Sequence, residues 1–156
     1  MKTILVKDVY LVHGMASALV PEGSKLEDVI NTFGREPGLR AVFLVDSKQR
    51  FIGLITRIDL LKWVQHKVFG GKGDRQITAH EVFRFLFAAK AKDLARGDRD
   101  SLAVTENDSI QEALDRMIEY EETAIPVIDG QGKVLGDIRL SEVLLKALEI
   151  GKQAEQ

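Results

Sequence analysis

The chain contains no cysteine. That excludes a disulfide framework, a zinc–thiolate centre and a thiol nucleophile. Its histidines, His13, His66 and His80, show no ligand spacing and no acidic cluster joins them, so no metal site is expected. No apolar run reaches the roughly 20 residues that a membrane-spanning helix needs, so direct membrane insertion is not expected. Nor does one sign of charge dominate. Lys and Arg total 22 against 24 Asp and Glu, a formal net charge of -2. A nucleic-acid binder ordinarily carries a basic excess or stripe, so no nucleic-acid partner is expected. The start, MKTILVKDVYLVHG, is charged and broken too early for a signal peptide, and a cytoplasmic location is expected. The glycines at Gly70, Gly71 and Gly73 lack the spacing of a phosphate-binding loop. No nucleophile–base pair or cofactor fingerprint is visible, so the chain is not expected to be an enzyme, and no cofactor is required.

What is present is a repeat, a feature to seek before any other. The chain has 156 residues, 45% of them apolar and 29% charged, enough for one compact unit or two very small ones. VPEGSKLEDVINTF, from Val20, aligns with VTENDSIQEALDRM, from Val104. Ser24 with Glu27, and Asp108 with Gln111, have the spacing of capping boxes, in which a short oxygen-bearing side chain meets free helix amides. Leu26, Val29, Ile30 and Phe33 then match Ile110, Ala113, Leu114 and Met117, each set on one helix face. AVFLVDSKQRFIGLI, from Ala41, matches AIPVIDGQGKVLGDI, from Ala124, and each reads as strand–turn–strand. Asp46 and Asp129 close the first strands. Gly53 and Gly136 lie inside the second, where a missing side chain permits close backbone approach. Helices follow at Asp59–Val64 and Glu142–Leu148.

The expected fold class is therefore α+β, two β-α-β-β-α repeats packed with pseudo-two-fold symmetry. Neither repeat could bury its apolar face alone. The expected boundaries are 1–65 for repeat 1, 66–90 for an inserted loop and linker helix, 91–150 for repeat 2 and 151–156 for a polar tail. Met1 and that tail fit a free-standing protein. Thr78 and Glu81 predict a capped helix from about Ala79 to Lys90, with Phe83, Leu86 and Phe87 on one face and Val82, Phe85 and Ala89 beside them. So apolar a helix should be buried, within the module or against a second subunit. ARGDRD, residues 95–100, reads as a solvated linker in which Arg96 or Arg99 could also meet a phosphate, and the neighbouring pair Glu121 and Glu122 reads as solvated charge.

These residues resemble the CBS (cystathionine-β-synthase) domain, and two in tandem resemble a Bateman module. The strand motif is complete as Ile125-Pro126-Val127-Ile128-Asp129, and the helix-start motif as Gly53-Leu54-Ile55-Thr56-Arg57-Ile58-Asp59. Ala91-Lys92-Asp93-Leu94 resembles a repeat lead-in, with Val6-Lys7-Asp8-Val9 as its partner. The resemblance implies a non-catalytic regulatory module. Such a module senses an adenosine-type ligand (AMP, ADP, ATP or S-adenosylmethionine) in the inter-repeat cleft, forms a homodimer and acts on a regulated protein. It implies that Asp59 accepts ribose hydroxyls and Thr56 contacts ribose or phosphate. The same pair is equally the N-cap and first turn of an ordinary helix. It places apolar walls at Ala18, Leu19, Val20, Ala41, Val42 and Phe43, all also core positions by pattern; Phe43 stands where the family has Pro. In repeat 2, Arg139 and Glu142 replace Thr56 and Asp59. Arg139 could meet a phosphate or pair with Asp137 or Glu142, and Arg57 could meet a phosphate or solvent. One good site and one degenerate site are expected. The alternative function is a ligand-free structural dimerisation module.

Overall fold

The structure, a computed structural model, describes residues 3–10, 17–70 and 84–155. Repeat 1 contains β1 (Ser17–Pro21), α1 (Leu26–Arg35), β2 (Ala41–Val45), β3 (Phe51–Thr56) and α2 (Arg57–Phe69). Short helices α3 (Ala91–Leu94) and α4 (Arg99–Leu102) lead into repeat 2. Its elements are β4 (Val104–Thr105), α5 (Ile110–Tyr120), β5 (Ala124–Ile128), β6 (Val134–Arg139) and α6 (Leu140–Ala154). Each repeat makes one three-stranded sheet, a parallel pair followed by an antiparallel pair. The α+β architecture of two β-α-β-β-α repeats is thus present.

Strand β2 is buried on both faces, and its period of two divides the core. Ala41 and Phe43 join a cluster containing Val104, Ile110, Ile125, Val127 and Ile138 of repeat 2. Val42 and Leu44 face the other way, among Leu26, Val29, Phe33, Leu60 and Trp63. The first cluster makes the repeats one hydrophobic unit.

The hairpins turn alike. Asp46 Oδ1 accepts from the amides of Lys48 and Arg50, and Asp129 Oδ1 from those of Gln131 and Lys133. This is the local hydrogen bonding that favours aspartate in turns.

Helix starts are one residue later than their spacing predicts. Ser109, not Asp108, caps α5, its hydroxyl accepting from the Glu112 amide. Asp108 is occupied by the Thr105 amide at 2.7 Å. Lys25 stands at the corresponding cap of α1, with no side-chain cap; the Leu26 amide donates instead to the Ala89 carbonyl. Backbone from outside the repeat has taken the cap's role.

That substitution is systematic. The lead-in before each repeat docks on the other repeat. Ala91 and Lys92 donate to the carbonyls of Ser24 and Glu22, and Val6 and Lys7 donate to those of Asp108 and Glu106. The Ile110 amide donates to Ile4 as Leu26 does to Ala89.

The inter-repeat segment differs from expectation. Residues 71–83, including Thr78, Glu81, Val82 and Phe83, lie outside the described residues. Residues 84–87 are helical, but the helix stops there, because Lys90 is drawn into a bridge with Lys25. Phe85 and Ala88 are buried, whereas Leu86 and Phe87 are exposed, Phe87 by 74%. Helix α2 continues past residue 65 to a left-handed Gly70, and residues 151–154, set apart as a polar tail, continue α6.

Candidate ligand-binding site

Thr56 ends β3 opposite Ala41 and caps α2. The Asp59 amide approaches Thr56 Oγ1, and Asp59 Oδ2 accepts from the Thr56 amide at 2.9 Å and from Thr56 Oγ1 at 3.1 Å. The reciprocal box fixes both side chains at the positive end of a helix dipole, a setting that favours anions. Asp59 is nevertheless buried, only 6% exposed.

Its counter-ion comes from the exchanged lead-in. Leu54 of β3 and Arg96 exchange backbone hydrogen bonds, both 2.9 Å. Gly53 permits this, since a Cβ there would lie 3.0 Å from Ala95 Cβ and 3.3 Å from the Arg96 carbonyl. The Arg96 guanidinium then reaches over β3. Its Nε lies 3.0 Å from Asp59 Oδ1 and 3.1 Å from Oδ2, and its Nη2 lies 2.6 Å from Glu122 Oε1. Glu122 follows α5 of repeat 2 and is 5% exposed. One guanidinium thus joins a carboxylate from each repeat. Burial raises the Glu122 carboxyl above its ordinary value against the pull of Arg96. Burial also works against the Arg96 charge, but Asp59 and Glu122 outweigh it and hold that pKa above the usual arginine value.

Around these groups lies a cleft of about 760 Å³. Thr56, Arg57, Asp59, Lys62 and Arg40 line it from repeat 1, and Tyr120, Glu121, Glu122 and Thr123 from repeat 2; Arg84 and Arg96 close it. The volume is in the range of small-molecule sites. The side chains of Arg40 and Lys62 make no hydrogen bond or ion pair with the described residues, so both charges are available to a ligand. Arg57 is committed elsewhere. It donates to the carbonyls of Leu39, Glu36 and Pro37 and lies over the Phe33 ring. It shapes the 37–39 wall of the cleft. Arg84 donates to the Leu94 carbonyl and lies over Phe85.

The structure therefore brings Thr56, Arg57 and Asp59 together. It does not bring the apolar candidates to the cleft walls. Ala41, Val42 and Phe43 are core residues, Phe43 packing edge-on against Phe51 with ring centroids 5.8 Å apart. Val20 is buried in the repeat 1 core, with Ala18 packed beside it, and Leu19 is exposed. Arg139 and Glu142 pair with each other at 2.7 Å, one of the arrangements open from sequence. Glu142 is also held by the Ser141 hydroxyl.

Two expectations are overturned here. Glu122 is not solvated charge but a buried wall of the cleft, and Arg96 leaves the linker for the cleft, whereas Asp98, Arg99, Asp100 and Glu121 are exposed as expected. Asp98 caps α4, accepting from the Ser101 amide at 2.8 Å, and Arg96 enters the site. Arg40 and Lys62 were also missed. Only Gly53, with its demand for close backbone approach, signalled that a further segment comes here.

A module of paired repeats enclosing a polar cleft is the class that this fold and site define. The chain belongs to the CBS domain family, whose model matches residues 6–66 and 91–149. The two matched segments make a tandem pair, a Bateman module, and similar solved structures share its fold. A CBS domain-containing protein from Thermotoga maritima is 24% identical, with a TM-score of 0.75 over 96% of this chain and 97% of that one. CBSX2 in complex with AMP is 17% identical, with a TM-score of 0.69 over 95% and 98%. The cytosolic domain of the Mg2+ channel MgtE in complex with ATP is 20% identical, with a TM-score of 0.57 over 83% and 44%. Among curated sequences, an uncharacterized Methanopyrus kandleri protein is 26% identical over 70% of this chain. A 17.7 kDa protein of Acidianus ambivalens is 23% identical over 78% of it. The matches cover 47% and 65% of those two relatives. Among the described residues, no helix is long and apolar enough to cross a membrane.

Proposed function

We propose that the chain is a non-catalytic, cytoplasmic regulatory module that binds an adenosine-type ligand in the cleft at Thr56 and Asp59. The ligand is AMP, ADP, ATP or S-adenosylmethionine, and a change in how the repeats sit is read by a partner protein. The observation that carries this is the Thr56–Asp59 box opening into a cleft lined from both repeats, with Arg40 and Lys62 uncommitted. A carboxylate suits a ribose diol, and the cations suit phosphate. The AMP and ATP complexes of similar folds support the reading. Ligand that touches both repeats stabilises one arrangement of them, which is how binding becomes a signal. At the corresponding position in repeat 2, Arg139 and Glu142 pair with each other, so one ligand per chain is expected.

The test is a thermal-shift series with AMP, ADP, ATP, GTP, S-adenosylmethionine and NADH. A ligand present at about 100 times its Kd adds about 2.7 kcal/mol to stability. Stabilisation by an adenosine compound that is lost in Asp59→Ala supports the proposal; no shift with any of them at millimolar concentration rejects it.

A second reading is a ligand-free homodimerisation module. Exposed Ile58, Leu61 and Phe69 on α2, and Leu144, Leu145 and Leu148 on α6, favour it. Sedimentation of Leu61→Asp and Leu145→Asp proteins tests the dimer. The dimerisation reading is left standing alone if these proteins become monomers while nucleotides have no effect on the wild type.

A further inference from the structure

Resting on the adenosine reading, one feature of the cleft goes further than ligand class. In the structure the diol-holding carboxylate is already engaged. Arg96 Nε lies between both oxygens of Asp59, and its Nη2 holds Glu122 at 2.6 Å. The backbone of Arg96 is pinned to Leu54 by two hydrogen bonds, so only the side chain is free to move. Its exposure, 36% for the side chain against 9% for Asp59 and 4% for Glu122, lies on the open side of the cleft.

We infer that Arg96 is a specificity residue that makes the cleft discriminate between nucleotides and bare nucleosides. A ribose diol that takes both oxygens of Asp59 competes with the Arg96 Nε contact, which spans them. A nucleoside offers nothing in exchange, and Arg96 is left with Glu122 alone. A nucleotide brings a phosphate. Arg96 stays anchored on Glu122 through Nη2 and turns its freed donors to the phosphate, so its charge again faces two anions. The guanidinium fork suits this exchange because it can hold a carboxylate and a phosphate with separate nitrogens. Arg40 and Lys62 add general attraction for phosphate, but neither is tied to Asp59. They do not oppose nucleoside binding as Arg96 does.

The experiment is calorimetric titration of the full chain with adenosine, AMP and ATP. The proteins are wild type, Arg96→Gln and the Arg96→Gln/Glu122→Gln pair, the last because Glu122 alone would be buried without its cation. The expected result is tighter adenosine binding and weaker AMP and ATP binding in both variants. The ratio of adenosine to AMP dissociation constants should fall about tenfold, a change of about 1.4 kcal/mol in discrimination. An equal change for all three compounds would overturn the inference and leave Arg96 a purely structural tie. Wild-type protein that binds none of them would instead overturn the adenosine reading, and this inference with it.

Discussion

Replacing Gly53 by alanine should loosen the link between the repeats. The added Cβ would lie 3.0 Å from Ala95 Cβ, 3.3 Å from the Arg96 carbonyl and 3.6 Å from the Gly97 carbonyl. None of these is the far end of a flexible side chain, so backbone must give way. Overpacking of this kind costs about 1–3 kcal/mol. Relief of the glycine's entropic penalty in a strand returns about 0.5–1 kcal/mol. The net loss should be about 1–2 kcal/mol, a fall in Tm of roughly 2–8 °C for a chain of this size. The movement falls on the segment whose hydrogen bonds to Leu54 carry Arg96 into the cleft. Urea denaturation, read as a lower midpoint at unchanged slope, measures it. Gly34 is the internal control. It lies in α1 with nothing within 4 Å of its missing Cβ, so Gly34→Ala should be stabilising by a few tenths to about 1 kcal/mol. A Gly53→Ala protein as stable as wild type would refute the close-approach argument.

Phe43→Ala should cost about 3–5 kcal/mol, because Phe43 fills a core shared by both repeats. Calorimetry should still show a single transition; two separated transitions would contradict the shared core. Trp63→Phe removes the bond from Nε1 to the Ala88 carbonyl, 3.0 Å long and buried. It should cost about 1–2 kcal/mol in chemical denaturation, and a neutral result would mean that water or another donor replaces the indole. Glu122 gives a pH test. Its native pKa lies above the ordinary 4.5, so between those values the native state holds a proton that the unfolded chain has lost. Wild-type stability relative to Glu122→Gln should therefore fall as pH rises from the ordinary glutamate value through the raised native one. Urea melts of both proteins from about pH 4 to about pH 8 would show it, and a gap that widens in favour of wild type with rising pH would reverse the sign.

Much of the architecture was legible because it rests on local chemistry repeated twice. The aligned apolar faces of α1 and α5, the Asp46 and Asp129 turns and the glycine inside β3 are each short-range signals. The Thr56–Asp59 box was legible for the same reason. The capping positions slipped by one residue because spacing alone cannot tell which oxygen the neighbouring strand end will use. Asp108 has the right side chain, but the Thr105 amide holds it. At Leu86 and Phe87 apolar periodicity reports what could be covered, by the module or by a second subunit, not what covers it. The ion triad was invisible for a different reason. Arg96, Asp59 and Glu122 are far apart in sequence and sit among charges that look solvated. Only the path of the backbone makes one of those charges a partner of the others.

That path is the exchange of lead-ins, and it bears directly on how the cleft could signal. If each lead-in packed on its own repeat, a ligand at Thr56 and Asp59 would touch repeat 1 and report on repeat 1. Instead, the segment ending in Arg96 belongs by sequence to repeat 2, is pinned by backbone to Leu54 of repeat 1, and reaches Glu122 of repeat 2 with its side chain. The hairpins meet as well, with the Phe51 amide donating to the Gly132 carbonyl. A ligand that loosens Arg96 from Asp59 therefore changes an interaction that spans both repeats, while the backbone ties keep them from separating. The proposed response is a small change of relative orientation. Its energy scale is that of one charge-assisted contact, about 1.5–3 kcal/mol. That is also the usual size of an allosteric coupling. Among the described residues, the Arg139–Glu142 ion pair joins two residues of the same repeat. The Arg96 contacts, by contrast, span both repeats, which is why the proposed signal starts from the Thr56–Asp59 side.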